Sequence, residues 1–220
     1  MKSFVFGETA HGMAIPAYLF GSTSLGPKIL ILGGVHGNET EGVVASYGLL
    51  KHFAADFNLK LQLTLVPAFN LDGVLAHSRL NGHGVDLNRN LPTNDWNPKA
   101  FDPKYPPGPH ANSEPENQCL TKFLELEKPK FILSLHSWHP LLNVNGDCAA
   151  EAEVLHKMTG YEIKAEIGYP TPGCLGTYAG LERGMPTLTY EIERGLTPDK
   201  TLAIHVPAIL SALKKSEERK

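Results

Sequence analysis

Cysteine is scarce in this chain of 220 residues, which has only Cys119, Cys148 and Cys174. Their wide spacing, without a Cys-x-x-Cys pair, excludes a disulfide framework and a thiolate metal site. The chain also lacks any run of about 20 apolar residues that would cross a bilayer. Its N-terminus has only a three-residue apolar stretch before Gly7, which is too short for a secretory signal. We therefore expect a cytoplasmic protein.

An excess of positive charge is missing as well. Lysine and arginine number 20 and aspartate and glutamate 23, so the formal net charge is −3. Proteins that bind nucleic acids or membrane surfaces through electrostatics need a basic patch, and no run of basic residues provides one. We expect neither nucleic acid nor membrane as a partner.

Short apolar segments alternate with amphipathic ones, and 21 glycines and 17 prolines separate them. This pattern predicts an α/β fold, a single domain over residues 1–220 with a central mixed, largely parallel sheet flanked by helices. The predicted strands are Ala14–Phe20, Lys28–Leu32, Gln62–Val66, Phe131–Leu135, Glu162–Glu166 and Thr187–Tyr190. The predicted helices are Glu41–Phe53, Ser113–Glu127, Glu151–Thr159 and Pro198–Leu213, with Ser113 and Thr197 as N-cap residues.

The segment Leu91–Ala111 has six prolines in 21 residues and shows neither helical nor strand periodicity. Irregular segments of this length are uncommon inside compact domains and often border a binding site. We predict a long loop here that borders the cleft.

Two predicted strands are followed by side chains of the types that bind metals. The string GGVHGNE follows the strand ending at Leu32 and supplies His36 and Glu39. The strand Phe131–Leu135 leads directly into His136. Ligands of open α/β sheets bind at the carboxyl ends of strands, and two histidines with one glutamate form a zinc site that leaves a fourth position open. His139 is an alternative third ligand.

Further candidate groups lie at a third strand end and in the segment between the others. Metal-assisted hydrolysis needs a base that accepts a proton, and Glu191 follows the strand Thr187–Tyr190. Glu193 is the less favoured alternative. In GVDLNRN, Asn88 and Arg89 supply an amide and a planar guanidinium suited to gripping a carboxylate. Arg79 is placed to stabilise an oxyanion.

Five strings in order, HGNE, NLDG, GVDLNRN, SLH and TYEIE, resemble the zinc metallocarboxypeptidase family. The resemblance runs from Gly33 to Glu193. The chain departs from the family at Leu71, where proline is usual, and in lacking the extra length of the digestive carboxypeptidases. Within that family, SEPE at 113–116 and GYPTPGCLGTY at 168–178 resemble the short bacterial murein peptide amidases.

The resemblance implies a zinc carboxypeptidase-like fold and an enzyme that holds one Zn²⁺ per chain. It implies that the zinc ligands are His36, Glu39 and His136. It also implies that Glu191 is the general base and acid.

For substrate binding, the resemblance implies that Arg79 stabilises the oxyanion and that Asn88 and Arg89 hold the substrate's terminal carboxylate. The family also uses a mobile tyrosine near that carboxylate. Tyr169 is the first candidate for it and Tyr178 the second.

The implied function is hydrolysis of a terminal carboxylate-bearing residue from a small peptide. The favoured bond is the γ-D-glutamyl–meso-diaminopimelate bond of murein peptides during peptidoglycan recycling. One alternative is an N-acyl amino acid deacylase of the aspartoacylase and succinylglutamate desuccinylase type, which shares the GxHGNE opening. Another is a catalytically inactive relative that only binds peptides.

Overall fold

The structure, a computed structural model, describes residues 1–22, 24, 26–100 and 102–219. Within these residues one sheet has eight strands: Lys2–Glu8 (β1), Ala14–Gly21 (β2), Lys28–Gly33 (β3), Gln62–Val66 (β4), Phe131–Trp138 (β5), Leu141–Asn145 (β6), Glu162–Lys164 (β7) and Thr187–Glu193 (β8). The α-helices in the described ranges are Thr40–Ala55 (α1), Leu71–Ala76 (α2), Pro115–Glu127 (α3), Ala149–Thr159 (α4) and Pro198–Ser216 (α5). In that part of the chain, no helix is both long enough and apolar enough to span a membrane.

The sheet is mixed, with a parallel centre. Its strand order is β1-β2-β4-β3-β5-β8-β6-β7. Strands β4, β3, β5 and β8 run parallel, while β1 with β2, β2 with β4, and β6 with β8 pair in antiparallel fashion. The central strands β3 and β5 are apolar and buried on both faces, as parallel strands under helices must be. These features confirm the predicted α/β fold with a mixed, largely parallel sheet.

Two apolar cores cover the two faces of this sheet. Helices α1, α4 and α5 form the first core, through residues such as Leu49, Leu155 and Ile209. The second core includes Leu120 of α3, Leu87 within the GVDLNRN string and Leu91 directly after it. Segments packed on either face therefore reach the same carboxyl edge of the parallel strands.

Among the strands and α-helices of the described residues, three were not predicted: β1, β6 and α2. The β1 strand lies at the edge of the sheet and is partly exposed, so it lacks the continuous apolar run of a central strand. The β6 strand is only five residues long and carries two asparagines. The α2 helix has six residues, too few to show helical periodicity.

One predicted helix start is correct and one is wrong. Thr197 caps α5, because its side chain accepts a hydrogen bond from the backbone N–H of Lys200. The helix predicted to begin after Ser113 begins at Pro115 instead, and Glu114 occupies the N-cap position. The hydroxyl of Ser113 donates to the Glu114 carboxylate at 2.6 Å rather than capping the helix.

Between Leu91 and Ala111 the described residues, 91–100 and 102–111, form neither helix nor strand, and residue 101 lies outside the described residues. Asn90 holds the far end of this loop. Its Nδ2 donates to the carbonyl oxygens of Pro107 and His110, at 2.7 and 3.0 Å.

Candidate active site

Three potential metal ligands converge at the carboxyl ends of β3 and β5. Glu39 Oε1 lies 2.9 Å from His36 Nδ1, and Glu39 Oε2 lies 2.9 Å from His136 Nδ1. The two Nδ1 atoms are 3.1 Å apart. All three side chains are buried, and their ligand atoms lie within 4.8 Å of one another. Two imidazoles and one carboxylate are the donor set of a catalytic zinc site, so these residues fit the ion that their types predict.

Each histidine of this cluster also has a second partner. The Nε2 atom of His36 lies 3.0 Å from Asp86 Oδ1, and Nε2 of His136 lies 3.0 Å from Ser134 Oγ. A hydrogen bond at one ring nitrogen fixes the tautomer and orientation that leave the other nitrogen free to bind a metal. Asp86 and Ser134 therefore orient the two Nδ1 atoms toward Glu39.

The electrostatics of the cluster favour ionised carboxylates. Burial raises the pKa of Glu39, but the neighbouring His36 and His136 imidazoles outweigh burial and hold that pKa well below its usual range. Asp86 is fully buried, which also raises its pKa, yet His36 and Arg79 lower the pKa below its ordinary value. Both carboxylates are therefore ionised and lie beside the imidazoles as negative charges.

Glu191 lies directly beside the cluster because β5 and β8 run parallel with His136 opposite Glu191. It is only 9% exposed, and its Oε2 atom has no hydrogen-bond partner among the described residues. Burial, as the largest effect, raises the pKa of Glu191 to about 7; the Glu39 charge adds to this rise, whereas His136 and Arg79 oppose it. A carboxyl group with such a pKa accepts and releases protons near neutral pH.

Arg79 links Glu39 of the cluster to Asp86. Its Nε donates to Asp86 Oδ2 at 2.8 Å, and its Nη1 donates to Glu39 Oε1 at 3.2 Å. Burial lowers the pKa of Arg79, but Asp86 and Glu39 together raise the pKa above its usual value. The guanidinium is held at the cluster as a permanent positive charge.

Arg89 differs from Arg79 in its partners. It is only 5% exposed, and its Nη1 donates to the backbone oxygen of Asn88 at 2.6 Å. Among the described residues no carboxylate oxygen lies within 4.0 Å of its guanidinium, whereas Arg79 has two. Burying a charge without a counter-charge is costly, so Arg89 is prepared to bind an anion.

The NLDG string positions Arg79 from a distance. Asn70 caps α2 by accepting a hydrogen bond from Gly73 N at 2.9 Å, and its Nδ2 donates to the backbone oxygen of Arg79 at 3.3 Å. Leu71, which replaces the family's proline, is the first residue of α2 and leaves this cap intact.

Two aromatic side chains lie against Tyr169, the tyrosine predicted to contact the substrate. The ring of Tyr169 is stacked 6.3 Å from that of Tyr105 and meets Trp138 edge-on at 5.8 Å. Tyr105 also lies beneath Arg79, at 4.7 Å. The second candidate, Tyr178, is wrong for this position because it is 2% exposed and packed in the second core.

A cavity of about 430 Å³ contains these groups. The predicted site residues that line it are His36, Glu39, Arg79, Asn88, Arg89, Tyr169 and Glu191. Other charged and aromatic side chains that line it, and that were not predicted as site residues, are Lys104, Tyr105, Trp138 and Arg194. The first two belong to the proline-rich loop, so that loop does border the cavity.

The two alternative assignments lie away from the cluster. His139 follows the end of β5 and is exposed, whereas His136 is buried beside Glu39. Glu193 is the exposed last residue of β8. The structure therefore brings together the residues that were preferred from the sequence.

Comparison with known proteins agrees with this geometry. A family model described as zinc carboxypeptidase matches residues 1–169. Murein peptide amidase A of Vibrio campbellii is 28% identical over 227 residues, 96% of this chain and 89% of that protein. The protein of that name from Escherichia coli K12 is 29% identical over 161 residues, 68% of this chain and 64% of the relative. The crystal structure of murein-tripeptide amidase MpaA from Escherichia coli O157 has a TM-score of 0.79 at 22% identity, covering 97% of this chain and 92% of that one. Because the family model spans well over half of this sequence, the chain belongs to the zinc carboxypeptidase family.

Proposed function

We propose that this protein is a zinc-dependent amidase that hydrolyses the γ-D-glutamyl–meso-diaminopimelate bond of small murein peptides. The names of its curated relatives support this substrate. The observation that carries the proposal is the buried Arg89, which faces the cavity and has no carboxylate partner among the described residues. The cytoplasm is the proposed location, which the three unpaired cysteines support.

His36, Glu39 and His136 would hold one zinc ion through Nδ1 and carboxylate oxygen atoms. Zinc in a site of this kind supplies Lewis-acid activation of water and of the scissile carbonyl. Asp86 and Ser134 keep the two imidazoles in the orientation that this binding requires.

Glu191 moves the proton of the reaction. Its Oε2, which has no hydrogen-bond partner in the described part of the chain, accepts a proton from the attacking water and later delivers it to the amine that leaves. Arg79 adjoins the cluster and stabilises the negative charge that develops on the carbonyl oxygen.

Arg89 and Asn88 bind the carboxylate of the terminal residue. Asn88 is held in place because its Oδ1 accepts a hydrogen bond from Leu175 N at 2.8 Å. Tyr169 lines the same cavity, where its hydroxyl would contact the bound carboxylate. A terminal residue held by its carboxylate in this way presents its amide bond to Glu191.

A substrate panel separates this proposal from its two alternatives. The zinc-loaded protein is incubated with L-alanyl-γ-D-glutamyl-diaminopimelate, a plain dipeptide and an N-acyl amino acid. We expect release of diaminopimelate from the first compound to be fastest. Faster cleavage of the N-acyl amino acid would establish the deacylase instead, and binding of the peptides without any turnover would establish the inactive relative.

The role of Glu191 is tested with Glu191→Gln, and Glu193→Gln serves as the matched control. Both remove one carboxylate from β8, but Glu193 is exposed at the strand end. We expect Glu191→Gln to retain the metal and the fold while losing at least about 100-fold in kcat. Glu193→Gln should keep its turnover. Equal turnover in the two variants would exclude Glu191 as the base.

A further inference from the structure

A third arginine, Arg194, lines the cavity at the end of β8. Its Nη2 lies 3.5 Å from Glu39 Oε1, and its side chain is 45% exposed. Its backbone is fixed, because Arg194 N donates to Trp138 O at 3.1 Å and the next N–H, of Gly195, donates to Glu41 at 2.6 Å. The fold therefore fixes the point from which this side chain enters the cavity.

Arg194 and Arg89 come from segments that are anchored on opposite faces of the sheet. Arg89 lies between Leu87 and Leu91, which pack in the second core with α3. Arg194 precedes Gly195, whose partner Glu41 belongs to α1 on the face of the first core. Both side chains line the cavity, but of the two only Arg194 contacts Glu39 of the cluster.

The cavity therefore has two separately anchored positive groups, one of which, Arg194, adjoins the cluster. A peptide whose terminal carboxylate is bound at Arg89 places its scissile carbonyl at the cluster. Its acyl part then continues beyond the cluster, toward Arg194. The acyl side of the cavity thus offers a guanidinium for a second negative charge on the substrate.

The one carboxylate near Arg194 is shared with other positively charged or metal-binding groups, so it does not fully neutralise this arginine. Glu39 is its only carboxylate within 4.0 Å in the described part of the chain, and that side chain already contacts His36, His136 and Arg79. Arg219 shows the contrast of a structural arginine, because it is 15% exposed and donates from Nε and Nη2 to the buried Glu151.

We propose that Arg194 binds the free α-carboxylate of the γ-linked D-glutamyl residue on the acyl side of the scissile bond. This inference rests on the proposed function. A peptide bond through the γ-carboxyl group leaves the α-carboxylate of that residue ionised, whereas an ordinary α-linked residue has no charge at this place. Arg194 therefore selects γ-glutamyl peptides over α-linked peptides.

Two peptides of nearly equal size test the proposal. One is L-alanyl-γ-D-glutamyl-diaminopimelate, and the other is its D-isoglutaminyl analogue, in which an amide replaces the α-carboxylate. A hydrogen-bonded charge pair of this kind predicts a preference of about tenfold or more in kcat/KM for the carboxylate peptide. In Arg194→Gln we expect this preference to fall to about twofold or less. Because both peptides use the same metal cluster, a change in zinc affinity affects them equally and leaves the ratio unchanged.

Binding provides a readout without turnover. Calorimetry with the zinc-loaded Glu191→Gln protein should show the same preference in Kd, and adding Arg194→Gln should remove it. Lys51→Gln, which removes an exposed positive charge at the other end of α1, is the control that should keep the preference.

The outcomes distinguish this inference from the proposed function. If the wild-type protein cleaves the murein peptide but Arg194→Gln keeps the preference for the carboxylate, Arg194 does not read that group. If the wild-type protein cleaves only the plain dipeptide or the N-acyl amino acid, the proposed function itself is wrong.

Discussion

Replacing Asp86 with asparagine tests whether the cluster is organised to bind a metal. Asp86 is completely buried and binds three groups at once. Oδ1 contacts His36 Nε2 at 3.0 Å and accepts from Asn88 N at 2.9 Å, while Oδ2 accepts from Arg79 Nε at 2.8 Å. Asparagine has nearly the same shape but no charge, and its NH₂ group cannot accept a hydrogen bond.

The size of the effect follows from these contacts. A carboxylate behind a metal-binding histidine raises the basicity of the imidazole, and losing it typically weakens metal binding about 10- to 100-fold. This range corresponds to roughly 1.4 to 2.7 kcal/mol of binding free energy. We expect zinc affinity in Asp86→Asn to fall within this range, because His36 retains a partner of the right size but loses its negative charge.

Zinc affinity is measured by competition with a chelating dye at fixed pH, and circular dichroism monitors the fold. Asp72→Asn is the matched control. Asp72 is also buried, but its carboxylate accepts from Thr9 and from the backbone of His11, each at 3.0 Å, away from the cluster. The control should be destabilised without weaker zinc binding. If Asp86→Asn binds zinc as tightly as the wild-type protein, the reasoning from the second partner of His36 is refuted.

Two more predictions concern a buried histidine and a glycine. Burial lowers the pKa of His205, beside Tyr190, to about 4 from 6.5, so the folded state favours the neutral ring. The neutral ring therefore contributes fully to the free energy of unfolding above pH 6.5, and this contribution is lost as the pH falls toward 4. Urea unfolding should show a loss of about 2 kcal/mol between pH 7 and 5 in the wild-type protein that His205→Gln lacks. If the unfolding free energies of the two proteins fell equally with pH, this prediction would be contradicted. In Gly173→Ala, at φ +74°, the new Cβ would lie 2.2 Å from the backbone oxygen of Arg89. Because this contact would displace Arg89, we expect KM to rise about tenfold or more. Gly184→Ala is the control, since Gly184 has φ +61° and no described atom within 4 Å of the added Cβ. An equal rise of KM in Gly184→Ala would show that backbone strain, and not the displacement of Arg89, is the cause.

The central fold and the metal cluster could be predicted because their signals are local. A short apolar run predicts a buried parallel strand, and a metal-binding side chain soon after the run marks the carboxyl end of that strand. Once β3 and β5 pair in parallel, the loop with His36 and the end of β5 with His136 must meet. The same reasoning predicts Glu191, because β8 is the next parallel strand.

Contacts between distant segments could not be predicted in this way. Tyr105 belongs to an aperiodic loop, and only the folded chain shows that its ring lies beneath Arg79. Arg194 follows a strand end, where charged residues are usually solvated. Its place in the cavity depends on Trp138 and Glu41, which lie far away in the sequence.

The GVDLNRN string shows why a motif is recognised more easily than it is explained. Its residues suggested only a group that grips a carboxylate, yet one of its side chains, Asp86, also orients a metal-binding histidine. Asp86 contacts His36 and Arg79, Asn88 accepts from Leu175, and Arg89 faces the cavity. The 3₁₀ turn at Leu87–Arg89 produces this divergence, since Asp86 caps it and neighbouring side chains leave it in different directions. Because the Asp86 carboxylate also fixes the N–H of Asn88, a change at Asp86 should disturb carboxylate binding along with metal binding. The two functions are therefore coupled through one turn, and KM should rise in Asp86→Asn even when saturating zinc restores the metal.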